Sequence, residues 1–183
     1  MTAGYTIREV TPADLDAFWM LRLRALRDHP SAFGSDYEQS RRTGPTYMER
    51  GYFDGGVNRL FAAFAPGGDL VAQAGTYGDA GKRSHIAYVI SVYTHPDHRG
   101  HGLASALVQT CINHLRTCED ITSIRISVNA SNTVALHTYE KLGFVTWGEE
   151  PDAIRTADGS CHNERHMVLV ASAIRSSSPE RTL

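Results

Sequence analysis

Two hydrophobic rhythms run through this chain, one of period two and one near helical spacing. Weak alternation over Tyr5 to Val10 predicts a first strand. Thr11-Pro12 then opens a helix, with Thr11 as N-cap and Pro12 at the first helical position. Leu15, Phe18, Trp19, Leu21, Leu23 and Leu26 recur near helical spacing up to Arg27, and Pro30 ends the element. Arg22, Arg24 and Arg27 interrupt that stripe and read as its solvated face. Ser31 to Gly51 is polar and mixed, with short helices expected around Asp36 to Arg41 and Pro45 to Glu49.

Arg59 to Ala65 and Leu70 to Tyr77 are apolar runs separated by Pro66-Gly67-Gly68-Asp69, a pattern that predicts a β-hairpin. Ile86 to Tyr93, rich in β-branched and aromatic residues, predicts a central strand. Helical spacing returns from Gly102 to Thr117, where Leu103, Leu107, Cys111 and Leu115 fall four apart and Ala104, Val108 and Ile112 widen the face. Ile124, Ile126 and Val128 alternate with Ser123, Arg125 and Ser127, a strand. Asn132 to Leu142 reads as a helix closed by Gly143 and Phe144. Phe144 to Gly148 and Arg165 to Val170 read as the last two strands. Ser172 to Leu183 is Ser-rich and reads as a disordered polar tail. A hairpin followed by alternating helices and strands implies an α/β (α+β) domain over 1–171 with a mixed sheet.

Composition narrows the function. The chain has 183 residues, 42% of them hydrophobic and 21% charged, which fits one globular domain. Its formal charge of -2 argues against a general nucleic-acid binder. Three cysteines without a C-x-x-C pair read as free thiols. No apolar run approaches membrane-spanning length, and Met1 to Val10 lacks a signal core, so a cytoplasmic protein without a membrane partner is expected.

The chemistry concentrates where a strand meets a helix, at Val92-Tyr93-Thr94-His95-Pro96-Asp97-His98-Arg99-Gly100-His101-Gly102-Leu103-Ala104. Two glycines at a helix start leave free backbone N–H groups open to an anion, and Arg99 adds a positive charge. A tight turn with two permissive residues would share this spacing. No Gly-Lys-Ser/Thr follows, so the segment is not a P-loop, and no acidic residue ends the next strand, as a dinucleotide fingerprint would need. His95, His98 and His101 are spaced by three, but Pro96 and the glycines interrupt any ligand-bearing helix, and no metal site is expected.

Arg99-Gly100-His101-Gly102-Leu103-Ala104 resembles the acetyl-CoA pyrophosphate loop of the GNAT N-acetyltransferase superfamily, Arg/Gln-x-x-Gly-x-Gly/Ala, with Arg99, Gly102 and Ala104 at its defined positions. A second segment about thirty residues on, Asn132, Ala135 and Tyr139-Glu140-Lys141-Leu142-Gly143-Phe144, resembles the family's other signature. Asn132, Ala135 and Tyr139 share one helix face by spacing alone, a pattern that an ordinary buried tyrosine would also give.

The resemblance spans roughly Tyr5 to Val170. It implies a largely antiparallel central sheet with a parallel splayed strand pair and helices on both faces. It implies acetyl-CoA as co-substrate, held by Ser91, Val92, Tyr93 and Thr94 on the strand, by Arg99, Gly100, His101, Gly102, Leu103 and Ala104 at the turn, and by Asn132 and Ala135. A backbone N–H, such as that of Val92, would polarise the thioester carbonyl. An acceptor amine would attack directly through a tetrahedral oxyanion, which fixed donors stabilise. Tyr139 would protonate the leaving thiolate as the catalytic acid.

The general base stays open, with Asp36, Glu38 and His85 as candidates beside a water relay. Phe33, Tyr37, Glu38 and Tyr77 are the candidate acceptor-side residues. The acceptor is a small-molecule or peptide amine, and the family carries an expectation of a homodimer. A non-catalytic acyl-CoA-binding or regulatory module on the same fold is the alternative.

Overall fold

The computed structural model describes residues 4–169, so the polar tail read over 172–183 lies outside it. Seven strands form one sheet in the order β1-β2-β3-β4-β5-β7-β6. In chain order they are β1 (Thr6–Glu9), β2 (Arg59–Phe64), β3 (Leu70–Gly78), β4 (Ile86–Thr94), β5 (Ser123–Asn129), β6 (Phe144–Arg155) and β7 (Cys161–Leu169). The helices are α1 (Leu15–Asp28), α2 (Tyr37–Thr43), α3 (Thr46–Gly51), α4 (Leu103–Arg116) and α5 (Thr133–Lys141). Every neighbouring pair is antiparallel except β4 and β5.

The two rhythms of the sequence explain the layers. β2 is apolar at nearly every position because it is covered on both faces. Phe61 and Ala63 join the core under α4, where Leu107, Val108, Cys111 and Leu115 are fully buried. Leu60, Ala62 and Phe64 join the opposite core with Phe18, Trp19 and Leu23 of α1 and Met48 of α3. Fully burying one such side chain is worth roughly 1.5–3 kcal/mol, so the stripe on α4 is enough to fix that helix on the sheet.

α1 begins as the Thr11-Pro12 pattern implies, through one 3-10 turn over Pro12–Asp14. The sequence reading missed its partner: the Asp14 carboxylate accepts from the Thr11 N–H at 2.9 Å and from the Thr11 hydroxyl at 2.6 Å, and also takes Arg8 at 2.7 Å. The end of the chain differs from expectation. β6 and β7 form a hairpin arm reaching out to Arg155 and Cys161, well past the Gly148 and Arg165 limits read from the sequence, while the expected end at Val170 lies outside the described residues. Most of β6 is exposed, and its apolar residues do not alternate with polar ones, so no period-two pattern announces it. Among the described residues no helix is long and apolar enough to cross a membrane.

Candidate active site

The parallel pair is short. Ile86, Ala87 and Tyr88 register with Ser123, Ile124 and Arg125, and the pairing then stops although both strands continue. From Val89 onward β4 leaves β5, and a cleft of about 1260 Å³ opens between them. On its other side β4 stays paired with β3, through a bulge where Gly75 faces Ile90 and Gln73 faces Tyr93. Ser91 sits in that bulge at φ +59°, a left-handed conformation that a side chain rarely adopts. The bulge breaks the ladder and turns this part of the strand toward the gap.

Ser91, Val92, Tyr93 and Thr94 all line the cleft. The Tyr93 Oη and Thr94 Oγ1 atoms are buried without a hydrogen-bond partner among the described residues. The chain then enters the glycine turn. Gly100 and Gly102 have φ +82° and +73°, and a Cβ at either would meet nothing within 4 Å, so backbone conformation and not crowding selects glycine there. Gly102 is the N-cap of α4. The N–H groups of the helix's first turn have no intrahelical acceptor, and their dipoles favour an anion. Arg99, Gly100, Gly102, Leu103 and Ala104 border the cleft at this end.

Arg99 is held as well as placed. Its Nε donates to the Thr94 carbonyl at 3.3 Å, and its Nη2 lies 3.0 Å from His29 Nε2. His101 does not line the cleft; its ring packs on Tyr5, centroids 5.4 Å apart. His98 also lies on Tyr5, with Nδ1 3.0 Å from the phenol oxygen, and His95 Nδ1 accepts from the Asp97 N–H. The three loop histidines thus pack within the turn, His98 and His101 on Tyr5 and His95 beside His98.

Across the gap stands α5. Asn132 is its N-cap, and its Oδ1 accepts from the Ala135 N–H at 3.1 Å, so this oxygen is already used inside the helix. Ala135 and Tyr139 follow on the cleft side. Tyr139 is buried, with its ring edge-on to Phe144, and burial pushes its phenol well above the ordinary value. Burial thus keeps the phenol protonated, so that it carries a proton in the cleft, while making it a weaker acid than a free tyrosine.

Residues of α1, of the loop after it and of α2 also wall the cleft. Phe33 and Tyr77 line it, but Tyr37 and Glu38 do not. Tyr37 packs toward the α1 core, and Glu38 is exposed and paired with Arg41 at 3.0 Å. Asp36 reaches the rim, where Oδ1 caps α2 through the Gln39 N–H at 2.8 Å. His85 lies at the closed end of the strand pair, where its carbonyl accepts from Thr122 and Ser123.

Sequence reasoning missed two groups. Arg22, which its charge predicts to be solvated, turns inward to line the cleft. It donates to Ser91 Oγ at 2.6 Å and to Ser35 Oγ at 2.9 Å. The available signal was its spacing: it falls three after Trp19 and four after Phe18, on the buried face. The second group spans three strands. Ser127 Oγ lies 2.9 Å from His166 Nδ1, and His166 Nε2 lies 3.0 Å from Glu150 Oε2. Trp147 stacks on the imidazole at 5.5 Å. Glu164, paired across from Asn129, lies beside them, and ligand atoms of Glu150, Glu164 and His166 fall within 4.8 Å of one another. Ser127 and Glu164 face the cleft. Burial raises the Glu164 carboxyl above the usual range, His166 opposes that rise, and Glu150 adds to it. Sheet pairing brings these residues together from positions 127, 150, 164 and 166, and no local motif marks them.

Residues 23–144 match the family model described as the acetyltransferase (GNAT) family. Mycothiol acetyltransferase of Streptomyces griseus subsp. griseus is 30% identical over 146 residues, covering 78% of this chain and 44% of that protein. The chain thus spans less than half the length of this relative. Among solved structures, a GCN5-related N-acetyltransferase from Kribbella flavida superposes with TM-score 0.78 at 22% identity, over 92% of this chain and 98% of that one. The yncA protein of Salmonella typhimurium, solved with its cofactor acetyl-CoA, gives TM-score 0.78 at 19% identity, over 98% of this chain and 100% of that one. At these identities the structural likeness concerns the fold.

Proposed function

The chain belongs to the GNAT acetyltransferase family, and from that premise we propose that it transfers an acetyl group from acetyl-CoA to a primary amine held where α1 and α2 wall the cleft. One observation carries the reading: a parallel strand pair that parts after three residues and leads, through a bulge at Ser91, into the glycine turn at the start of α4.

The residues present fit acetyl-CoA. The turn offers free N–H donors, open space at Gly100 and Gly102, and the Arg99 charge, which together suit a pyrophosphate. The side of β4 facing β5 carries unpaired main chain from Val89 onward, which suits the amides of an extended arm. When bound, acetyl-CoA supplies the activated acetyl thioester. The chain's part is to orient and to move protons. Main-chain N–H groups near Val92 stabilise negative charge developing on the acetyl oxygen. The neutral, buried Tyr139 donates a proton to the departing sulfur.

For the amine's proton we favour Glu164 over the candidates read from the sequence, because it faces the cleft and its raised pKa brings it nearer the working range of a base. His166, tied to Ser127 and Glu150, lies beside it as the next acceptor. Residues 1–171 would then act as one acetyltransferase domain. Calorimetric titration with acetyl-CoA, dephospho-CoA and pantetheine tests the premise. Binding that depends on the pyrophosphate, followed by amine-dependent thiol release, supports it; no binding at millimolar acetyl-CoA sinks it.

A further inference from the structure

Arg22 carries a charge that the described structure does not neutralise. A guanidinium is protonated at every physiological pH and presents five N–H donors in a planar fork. Arg22 directs Nη1 to Ser91 Oγ and Nη2 to Ser35 Oγ, and its Nε is buried without a partner. Both contacts are neutral hydroxyls. No carboxylate among the described residues lies within ion-pair distance of it. Arg24, two residues on in α1, has its Nε 3.3 Å from Asp28 Oδ2, whereas Arg99, the other arginine of the cleft, contacts the Thr94 carbonyl and His29. Of the two carboxylates on the cleft wall, Asp36 is used to cap α2 and Glu164 belongs to the cluster with His166 and Glu150.

A half-buried cation held by hydroxyls is oriented but uncompensated, and its field in a partly desolvated cleft draws an anion. The planar fork suits a carboxylate. Its position sets where that carboxylate lies. The guanidinium touches Ser91, the residue before Val92, three residues past the last β4–β5 pair at Tyr88. With the acetyl carbonyl at the Val92 N–H, as proposed above, the anion and the attacking amine lie close together, as in an α-amino acid, and not at opposite ends of a long chain. Arg99 and the glycine turn stand at the far end of the cleft residues of β4, so the anion at Arg22 is distinct from the one at the turn.

We propose that the acceptor is an amine that also carries a carboxylate, of the amino-acid class, and that Arg22 is the residue that recognises it. This rests on the acetyltransferase reading above. The test compares L-alanine, L-methionine and L-phenylalanine with their carboxamides, using acetyl-CoA and thiol release, with spermidine as a cationic control. The acids should exceed the amides in kcat/KM by on the order of 10²-fold. Arg22→Gln should bring that ratio close to one, and Arg22→Lys, which keeps the charge but loses the fork, should retain part of it. A residue that only braced the Ser91 bulge would lower all rates together and leave the ratio unchanged, and that result overturns the proposal. Equal or better turnover of the amides overturns it too, as does turnover confined to spermidine, or none of any amino acid by protein that binds acetyl-CoA. Protein that fails to bind acetyl-CoA refutes the acetyltransferase reading instead, and this proposal with it.

Discussion

Tyr139 stands edge-on to Phe144, ring centroids 6.2 Å apart, so the residue that begins β6 holds the phenol at the cleft wall. The two lie either side of the Gly143 turn, where φ of +93° brings the chain back onto the sheet. Tyr139→Phe keeps this ring contact and removes only the hydroxyl. We expect kcat to fall by about 10²-fold or more, with the acetyl-CoA dissociation constant little changed by calorimetry. An unchanged kcat removes Tyr139 as the proton donor.

Gly102→Glu tests the turn. The substitution places a carboxylate among the free N–H groups of α4 and adds a Cβ at φ +73°. The backbone strain costs roughly 1–2 kcal/mol, too little to unfold the chain, whereas the charge opposes an incoming phosphate directly. Loss of acetyl-CoA binding with a retained circular dichroism spectrum is expected. Binding at the native level would remove the anion site from this turn.

Glu164→Gln addresses the proton acceptor. His166 and Glu150 face this carboxyl from β7 and β6, and Asn129 lies across from it on β5. Because its pKa is raised, Glu164 remains protonated to a higher pH than an ordinary carboxyl, and a base works only when ionised. Activity should therefore decline as pH falls through that raised value. The variant should lose this acid limb and about 10²–10⁴-fold in kcat/KM. A pH profile that keeps its acid limb in the variant points away from Glu164.

Asp14→Ala probes the start of α1. The Arg8 guanidinium, and then Thr11, hold the Asp14 carboxyl well below the usual range. A depressed pKa means that the stabilisation is complete above the unfolded value, about 3.9, and is lost as pH falls through the folded one. Urea melts near neutral pH should show a loss of about 1 kcal/mol. The gap between the two proteins should narrow in acid. A gap that stays constant down to strongly acidic pH would mean that the carboxylate's charge is not the source.

The order of elements and both glycine-bearing turns were legible because they depend on short-range chemistry. Helical spacing over 103–115 and alternation over 123–128 each name an element directly, and each corresponds to a helix or strand in the structure. The bulge was not legible. Ser91 adopts a glycine-like φ without being glycine, with its hydroxyl bonded to Arg22 from 69 residues away. Arg22 itself looked solvent-facing because charge outweighed spacing in the reading. The arm of β6 and β7 carries few buried residues, and so the group formed by Ser127, His166, Glu150 and Glu164 depends on strand register that no short segment encodes. Tyr37 and Glu38 lie beside the cleft-lining stretch in sequence, on α2, but are not among the residues that line the cleft.

The three-residue pairing of β4 with β5 has a consequence for hydrogen exchange and for association. Beyond Tyr88, the middle of the sheet behaves as two free rims. Unpaired rims at the outside of a protein invite strands from other molecules. These rims open instead into a cleft that side chains of α1 and α5, among them Trp19 and Tyr139, also line. The main-chain amides of β4 that face the gap should exchange with solvent faster than those facing β3, despite their central place in the fold. A slender extended ligand can pair there, while a polypeptide strand would first have to pass the two helices.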